Sequence, residues 1–201
     1  ANRLLSDPRA RAASVSFYDE WLSLKAISAA DKDTELYKEF TPALRAAMRD
    51  ETRAFIDDVL WKGDGRLETL LLAPYSIVPP ALATFYNAKI PAKGGAIRVD
   101  FDPLQRAGIL TQPSFLSIQS GSQQSSPTFR GKFIRERLLC ETLPPAPAAV
   151  SQDVPGPNNA TTTRQRYAQH QNDPNCSGCH QLMDPIGFGF EHFDAIGKYR
   201  A

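Results

Sequence analysis

A short stretch near the C-terminus carries the residues best suited to chemistry. Residues 173–185 read DPNCSGCHQLMDP, in which two small residues separate Cys176 from Cys179 and His180 follows directly. A Cys-x-x-Cys-His run is the attachment signature of a c-type haem. The two thiols bond the vinyl groups of the haem, and the histidine offers its imidazole to the iron as the proximal ligand. The spacing predicts one covalently bound haem c.

Three other interpretations of this motif stay open on the residues alone. A thioredoxin-like redox pair needs a βαβ setting, whereas the segment before the motif is polar and predicted helical. A zinc site needs four ligands, usually as two spaced pairs. The further candidates for such a site are His170, His192, Cys140 and nearby carboxylates. The third interpretation is a chance pattern in a surface loop.

The segment after the motif has the composition of a wall for a flat apolar ligand. MDPIGFGFEHFDAIGKYR contains three glycines and three phenylalanines. Glycine lets the backbone pass close to a ligand, and Phe188 and Phe190 are the candidates for apolar contact with the haem. A turn packed on a small core would have the same composition. Arg164 is a candidate partner for a haem propionate, because arginine binds carboxylates with two parallel hydrogen bonds. The other basic candidates are Arg166, Lys198 and Arg200.

The ligand on the opposite face of the iron decides between an electron carrier and an enzyme. A strong protein ligand leaves the haem to shuttle electrons, whereas an open position allows peroxide or oxygen chemistry. His170 is the distal candidate we favour, because its distance from Cys176 lets the chain reverse around the ring edge. His192 follows it, in Gly-rich surroundings. Met183 and Met48 are more typical of core residues.

The composition limits the kinds of binding partner that we expect for the protein. A chain of 201 residues suits one domain or two small ones with a hydrophobic core. Its 23 Lys and Arg nearly balance its 22 Asp and Glu, for a net charge of +1. No overall field therefore favours nucleic acid or an anionic membrane. No apolar run approaches the roughly 18 residues of a membrane span. The first residues do not have the pattern of a signal peptide, so we expect any export signal upstream.

The elements that must position the motif are mostly helical. SDPRARAASVSFYDEWLSLKAI and TPALRAAMRDETRAFIDDVLWKG each begin with a cap residue and a proline, with Ser6 or Asp7 as the cap in the first and Thr41 in the second. Apolar residues recur at spacings of three and four in both. Only Glu51 interrupts the apolar face of the second helix. GRLETLLLAPYSIVPPALATFYN is predicted to form two shorter helices, broken at Pro74 and restarted at Pro79-Pro80.

The pattern of the sequence changes after residue 92. Ile97, Val99 and Phe101 alternate as in a short strand. A Ser-Pro cap then starts a predicted helix over 127–140, with Phe129 on its inner face. Cys140 at its end is expected to be a small buried apolar residue. Three cysteines do not form a disulfide framework.

These patterns together predict a mainly α fold with at most a short β pair near 97–101. The first part should be a helical bundle, and the last a small cytochrome c-like segment around the haem. The proline-rich run between them should be extended over the surface. The predicted organisation is a helical domain at 1–92, a mixed segment at 93–143, a Pro-rich linker at 144–160 and a haem c-binding segment at 161–201.

Two long segments also carry a family resemblance. RAGILTQPSFLS with SSPTFRGKFIRERLLCETLPPAP, and TRQRYAQHQNDPNCSGCHQLMDPIGFGFEHFDAIGKYR, resemble consecutive parts of a family of large secreted bacterial c-type cytochromes. The modules of that family are domains of unknown function, numbered 1592, 1588 and 1585 in series. LLSDPRARAASVSFYDEWLSL, FTPALRAAMRDETRAFIDDVL and LLLAPYSIVPPALATFY resemble the end of the first module.

The resemblance implies haem attachment at a single CxxCH segment, export to the periplasm and a histidine at position 170. Members of the family usually continue well past the FDAIGKYR equivalent, so we expect this chain to be a piece of a larger whole. Cys140 and His192 fall where the family is not expected to have Cys or His. The resemblance says little about a reaction or substrate.

The expected function is a c-type cytochrome with one haem that transfers single electrons within a larger exported redox assembly. Its partner would be a redox protein or complex, and no catalytic residue is assigned. One alternative is a haem peroxidase or oxidase with an open distal site, although the sequence shows no convincing distal His/Arg pair. Another is a structural subunit of a membrane electron-transfer complex, which the proline-rich crossing and the many helices would suit.

Overall fold

The computed structural model describes residues 2–89, 94–144, 162–172 and 174–200. In this part of the chain the fold is mainly helical, with a single two-stranded antiparallel sheet. The predicted mainly α fold with a short β pair is therefore confirmed. The predicted Pro-rich linker lies outside the described residues from position 145 onward.

The described residues form the following helices and strands, numbered in chain order. The α-helices are α1 Asn2–Leu5, α2 Pro8–Trp21, α3 Pro42–Asp57, α4 Leu67–Leu72, α5 Ala83–Tyr86, α6 Pro113–Ile118, α7 Pro127–Phe133, α8 Thr163–Asn172 and α9 Pro174–Gly187. The strands are β1 Tyr75–Val78 and β2 Ile97–Asp100. Two π-helical turns, Asp58–Lys62 and Ile134–Leu138, continue α3 and α7. The 3₁₀ turns are Leu24–Ala29, Pro80–Leu82, Ile109–Thr111 and Phe188–Phe190.

Three helices begin at the cap residues that the sequence indicates. The Asp7 carboxylate accepts a hydrogen bond from the backbone of Arg9 at the start of α2. The Thr41 hydroxyl accepts one from the Leu44 backbone at the start of α3, and Ser126 does the same at α7. A proline follows each cap, since the first helical position needs no backbone donor. The helix starts are therefore set locally.

The small sheet confirms the predicted strand and adds a partner strand that the sequence did not indicate. β2 forms where alternation predicts a strand, and it pairs with β1 so that Tyr75 lies opposite Asp100 and Val78 opposite Ile97. Residues 75–78 lie between the predicted break at Pro74 and the predicted restart at Pro79-Pro80, and they form β1, a strand that the sequence did not indicate. Pro79 disfavours the helical region for the residue before it, and the short run has its hydrogen-bonding partners in β2.

Two hydrophobic clusters join the beginning and the end of the chain. The first contains Leu22, Phe55, Phe115, Phe133 and Phe193, among others. The second contains Ile27, Met48, Val78, Leu82 and Ile196, among others. In both, residues of the N-terminal helices contact residues that follow position 106. The C-terminal loop beyond α9 thus packs into the same core as α2 and α3.

Buried cations tie the loops to this core through backbone carbonyls. The Lys32 amine donates to the carbonyl oxygens of Ser117, Ser120 and Gly121 at 3.0, 3.1 and 2.7 Å. Arg130, on α7, is 0% exposed. Its guanidinium donates to the carbonyls of Phe190, Phe193 and Asp194 at 2.8, 3.1 and 2.8 Å. These bonds fix the loop after α9 against α7.

Candidate haem-attachment site

The motif residues lie on a single helix, α9. Cys176 and Cys179 are three positions apart, and His180 is four positions from Cys176, so all three share one face of the helix. Both thiols are partly exposed, and neither forms a disulfide. The helical backbone therefore places two accessible sulfurs one turn apart, with the imidazole beside them.

The imidazole of His180 is held by a buried carboxylate on the same helix. His180 Nδ1 lies 3.0 Å from Asp184 Oδ2. The side chain of His180 is 21% exposed, whereas that of Asp184 is 0% exposed. The Thr128 hydroxyl, on α7, donates to Asp184 Oδ1 at 2.8 Å. A continuous path of hydrogen bonds thus runs from α7 through Asp184 to the motif histidine.

Two glycines allow α7 and α9 to touch at the backbone. A Cβ atom added to Gly131 would lie 1.9 Å from the Met183 carbonyl oxygen, and one added to Gly187 would lie 1.8 Å from that of Pro127. Any side chain at either position would push the helices apart. The Arg135 guanidinium also donates to the Leu182 carbonyl at 2.8 Å. The close crossing is what buries Asp184.

Helix α8 brings two of the predicted site residues together. The Arg164 guanidinium lies 4.3 Å from the centre of the Phe188 ring, within the range of a cation–π contact. Tyr167 packs edge-on against the same ring, at 6.3 Å between centroids. Burial raises the pKa of the Tyr167 phenol, a hydrogen bond to Ser126 opposes this, and the Asp184 carboxylate raises the pKa further. The phenol is therefore neutral at physiological pH.

Phe190 lies apart from this pair. Its ring packs against the first hydrophobic cluster, 6.4 Å from the Phe115 ring and nearly edge-on to it. The structure thus places Phe188 beside Arg164, and Phe190 on the core side of the same 3₁₀ turn. The haem-contact roles of Phe188, Phe190 and Arg164 stay predictions.

The candidates for the iron ligand opposite His180 lie in different parts of the structure. His170 lies on α8, but its side chain is outside the described part of the structure. His192 is exposed and its ring stacks on Tyr199, at 5.6 Å and 15° between planes. Met183 lies buried at the α7–α9 crossing, and Met48 lies buried on α3. Both methionines thus occupy core positions, as their sequence context predicts.

Cys140 is exposed and forms no disulfide, so the prediction that it is buried is wrong. The π-helical turn ends at Leu138, and Cys140 adopts a left-handed conformation with φ of 55°. The chain leaves the core at this point and carries the side chain into solvent. The prediction for Phe129 is also wrong, since this side chain is 52% exposed. Arg130, Gly131 and Phe133 take the buried side of α7 instead.

Asp184 is the site residue that sequence reasoning missed. The signal is present as a His-x-x-x-Asp spacing, which puts the two side chains one above the other on a helix. The burial of Asp184 depends on α7, which lies about fifty residues earlier in the chain. Spacing alone could therefore have suggested the contact but not the burial.

A second buried carboxylate lies away from the motif, on α3. Glu51 is 0% exposed, and the Tyr86 phenol donates to its two oxygens at 2.8 and 2.9 Å. Burial raises the pKa of Glu51 to about 7, while hydrogen bonds from Tyr86 and Ser76 and the charge of Arg106 oppose the rise. The interruption in the apolar face of α3 is thus a core carboxylate with a phenol partner.

Among the described side chains, no group of three or more His, Cys, Asp or Glu is arranged to hold a metal ion. No helix in the described ranges combines the length and the apolar character needed to cross a bilayer.

Two family models match the chain. Residues 1–88 match PSD4, a protein of unknown function (DUF1592), and residues 106–201 match PSCyt3, a protein of unknown function (DUF1588). These matches confirm two of the domains of unknown function that the resemblance indicates, in the expected order. No curated protein and no solved structure matched the chain. The hydrophobic clusters described above contain residues of both matched segments.

Proposed function

We propose that the protein is a c-type cytochrome that binds one haem covalently and transfers single electrons. The observation that carries this proposal is the arrangement on α9. Cys176, Cys179 and His180 share one helix face, and a buried carboxylate holds the histidine by Nδ1. Two thiols one turn apart with an adjacent imidazole are the donor set of haem c attachment.

The residues present fit this cofactor. Both thiols are accessible and outside any disulfide, as thioether formation requires. Because Nδ1 of His180 contacts Asp184, Nε2 would be the nitrogen that ligates the iron, since a ligating histidine uses one nitrogen for the metal and the other for a second partner. A bound haem supplies a one-electron iron couple. The cysteines would anchor the haem, His180 would ligate it, and Asp184 would orient the ring of His180.

Other parts of the site have secondary roles in the proposal. Arg164 binds a propionate from its position above Phe188. Phe188 and Phe190 would supply apolar contact, and His170 would be the second protein ligand to the iron beside His180. With two strong protein ligands the iron would exchange electrons without binding a substrate. The protein is then a carrier rather than a catalyst.

The cellular setting of the proposal is the periplasm or another exported location. The sequence resemblance to secreted cytochromes supports it, and the confirmed domain order supports a module of a larger redox assembly. The net charge of +1 means that docking to a redox partner would depend on a local patch. Neither nucleic acid nor a membrane span in this chain is part of the proposal.

One observation favours a second candidate function, oxidase or peroxidase chemistry at an open iron position. The Asp184 carboxylate contacts Nδ1 of His180, and outer partners of this kind tune the reactivity of a bound metal. The two functions differ in the ligand opposite His180, so a small added ligand separates them.

The test is an absorption spectrum of protein matured with the haem-attachment machinery. It is recorded oxidised, reduced with dithionite, and then with carbon monoxide. A sharp reduced α-band that carbon monoxide leaves unchanged supports the electron carrier. A prompt shift with carbon monoxide supports the second candidate. Absence of a Soret band contradicts both. The control is the Cys176→Ser, Cys179→Ser double variant, which should lose covalently bound haem.

A further inference from the structure

We infer that Asp184 is a positioning residue for the proximal ligand and that it lowers the reduction potential of the haem. It acts through His180, whose Nδ1 it holds at 3.0 Å. The inference rests on the proposed function, because it concerns a haem ligated by His180. It adds a residue outside the attachment motif and a direction for the potential.

The contact between Asp184 and His180 is held in place by the surroundings of Asp184. One oxygen accepts from Thr128 on α7 at 2.8 Å, and the other faces His180. Along α9, the backbone contacts of Gly131 with Met183 and of Gly187 with Pro127 lie just before and just after Asp184. The carboxylate therefore cannot withdraw without separating the two helices. The orientation of the imidazole is set by α7 and not by the motif itself.

The direction of the effect follows from charge. A carboxylate that accepts the Nδ1 proton makes the imidazole a stronger donor to the metal. Stronger donation stabilises the ferric state over the ferrous state, so the reduction potential falls. Asp184 is 0% exposed, and water screens its charge less than that of a surface carboxylate. Removing the charge should raise the potential.

Thr128 provides a second variant with the opposite sign. Its hydroxyl hydrogen bond draws electron density from Asp184. Without this bond the carboxylate accepts the Nδ1 proton more strongly, so Thr128→Val should lower the potential slightly. General loosening of the site would move the potential of both variants in the same direction. The pair of variants thus separates an electrostatic effect from damage to the fold.

The experiment compares full-length wild type, Asp184→Asn and Thr128→Val, all matured with the haem-attachment machinery. Glu136→Gln is the matched control, because it removes a partly exposed carboxylate on the π-helical turn after α7. Covalent haem is measured first as the pyridine haemochrome of the denatured protein. The reduction potential is then measured at pH 7 by a redox titration followed in the α-band.

We expect Asp184→Asn to retain covalent haem and to shift the ferric-to-ferrous ratio at a fixed solution potential at least tenfold toward ferrous. That shift corresponds to about 59 mV for a one-electron couple. Thr128→Val should shift the ratio about twofold toward ferric, and Glu136→Gln by less than twofold. An unchanged ratio in haem-loaded Asp184→Asn would overturn the inference while leaving the proposed function intact.

Two other outcomes also decide the question. If wild type carries no covalent haem, the proposed function fails and the inference fails with it. If Asp184→Asn does not fold, Thr128→Val carries the test, since a shift toward ferrous in that variant contradicts the proposed direction.

Discussion

Glu51 and Asp184 are two buried carboxylates with different partners. Both are 0% exposed, and both lie on a helix that packs into the protein. Both oxygens of Glu51 share the hydroxyl hydrogen of the neutral Tyr86 phenol inside the core. Asp184 accepts one from Thr128 and contacts the partly exposed imidazole of His180. The hydrogen bond of Glu51 stays inside the core. The contacts of Asp184 instead reach the partly exposed face of α9 that carries the two motif thiols.

The difference shows that burial of a charge does not by itself mark a functional site. The pKa of Glu51 is raised to about 7, which would make it a candidate by perturbation alone. Its partners, however, are core residues far in sequence from the cysteines. Asp184 stands out because its partner is a ligand-type side chain beside two accessible thiols. The partner of the buried group distinguishes the two regions.

The variant with the largest expected effect disrupts only the region around Asp184. Gly131→Ala places a Cβ atom against the Met183 carbonyl, so α7 and α9 must separate. We expect a loss of about 4 kcal/mol in the free energy of unfolding, at the high end for overpacking. Urea denaturation followed by circular dichroism measures it.

Gly189→Ala is the matched control for this variant, because a Cβ atom there meets nothing within 4 Å. It should change stability by less than about 1 kcal/mol. Equal stability of the two variants would show that the helices are not in contact at Gly131.

The next largest effect is expected around Glu51, where the stability of the protein should depend on pH. The folded-state pKa of Glu51, about 7, lies above the ordinary value of 4.5 for a glutamate side chain. The unfolded chain therefore releases this proton at lower pH, and wild type loses stability as the pH rises from 4.5 to 7. Glu51→Gln does not titrate. It should be more stable than wild type by about 3 kcal/mol at pH 8, and nearly equal to it at pH 4.5.

Glu39→Gln is the control for this prediction, because its effect has the opposite sign. The Lys198 amine holds the pKa of Glu39 below its usual value, so Glu39 contributes stability that is lost as the pH falls. The pair is exposed, and the effect should stay below about 1 kcal/mol. Urea unfolding at pH 4.5, 6 and 8 measures both variants. A pH-independent difference between Glu51→Gln and wild type would show that Glu51 ionises normally.

The smallest expected effect compares the two hydrogen-bond donors directly. Tyr86→Phe removes the phenol from Glu51, and Thr128→Val removes the hydroxyl from Asp184. Each should lower the free energy of unfolding by about 1–2 kcal/mol, because a buried carboxylate oxygen loses its donor. Chemical denaturation at pH 7 measures the loss. In haem-loaded protein, only Thr128→Val should change the reduction potential, and a change in Tyr86→Phe would erase the distinction between the regions.

The elements that the sequence predicts best are those with local causes. The starts of α2, α3 and α7 follow from a cap residue and a proline, and β2 follows from alternation. The sequence does not indicate β1, because its four residues lie between two predicted helices and its partner strand is about twenty residues away. Pairing between distant segments is the information that local patterns lack.

The same distinction holds for the candidate site. Cys176, Cys179 and His180 are evident from spacing, since they need only one turn of helix. The role of Asp184 needs the approach of α7, which depends on glycine at positions 131 and 187. The exposure of Phe129 likewise depends on which side of α7 faces the core, and that of Cys140 on where the chain leaves the core after Leu138. Sequence patterns thus predict the reactive residues, and packing determines what holds them.

The central claim is that Cys176 and Cys179 bind haem covalently, and intact mass spectrometry tests it most directly. The chain is produced in cells that carry the haem-attachment machinery, together with an established c-type cytochrome as a positive control. The account predicts that the wild-type chain gains the mass of one haem and that the Cys176→Ser, Cys179→Ser variant gains none. An unmodified wild-type mass, in cells that load the control cytochrome, would contradict it.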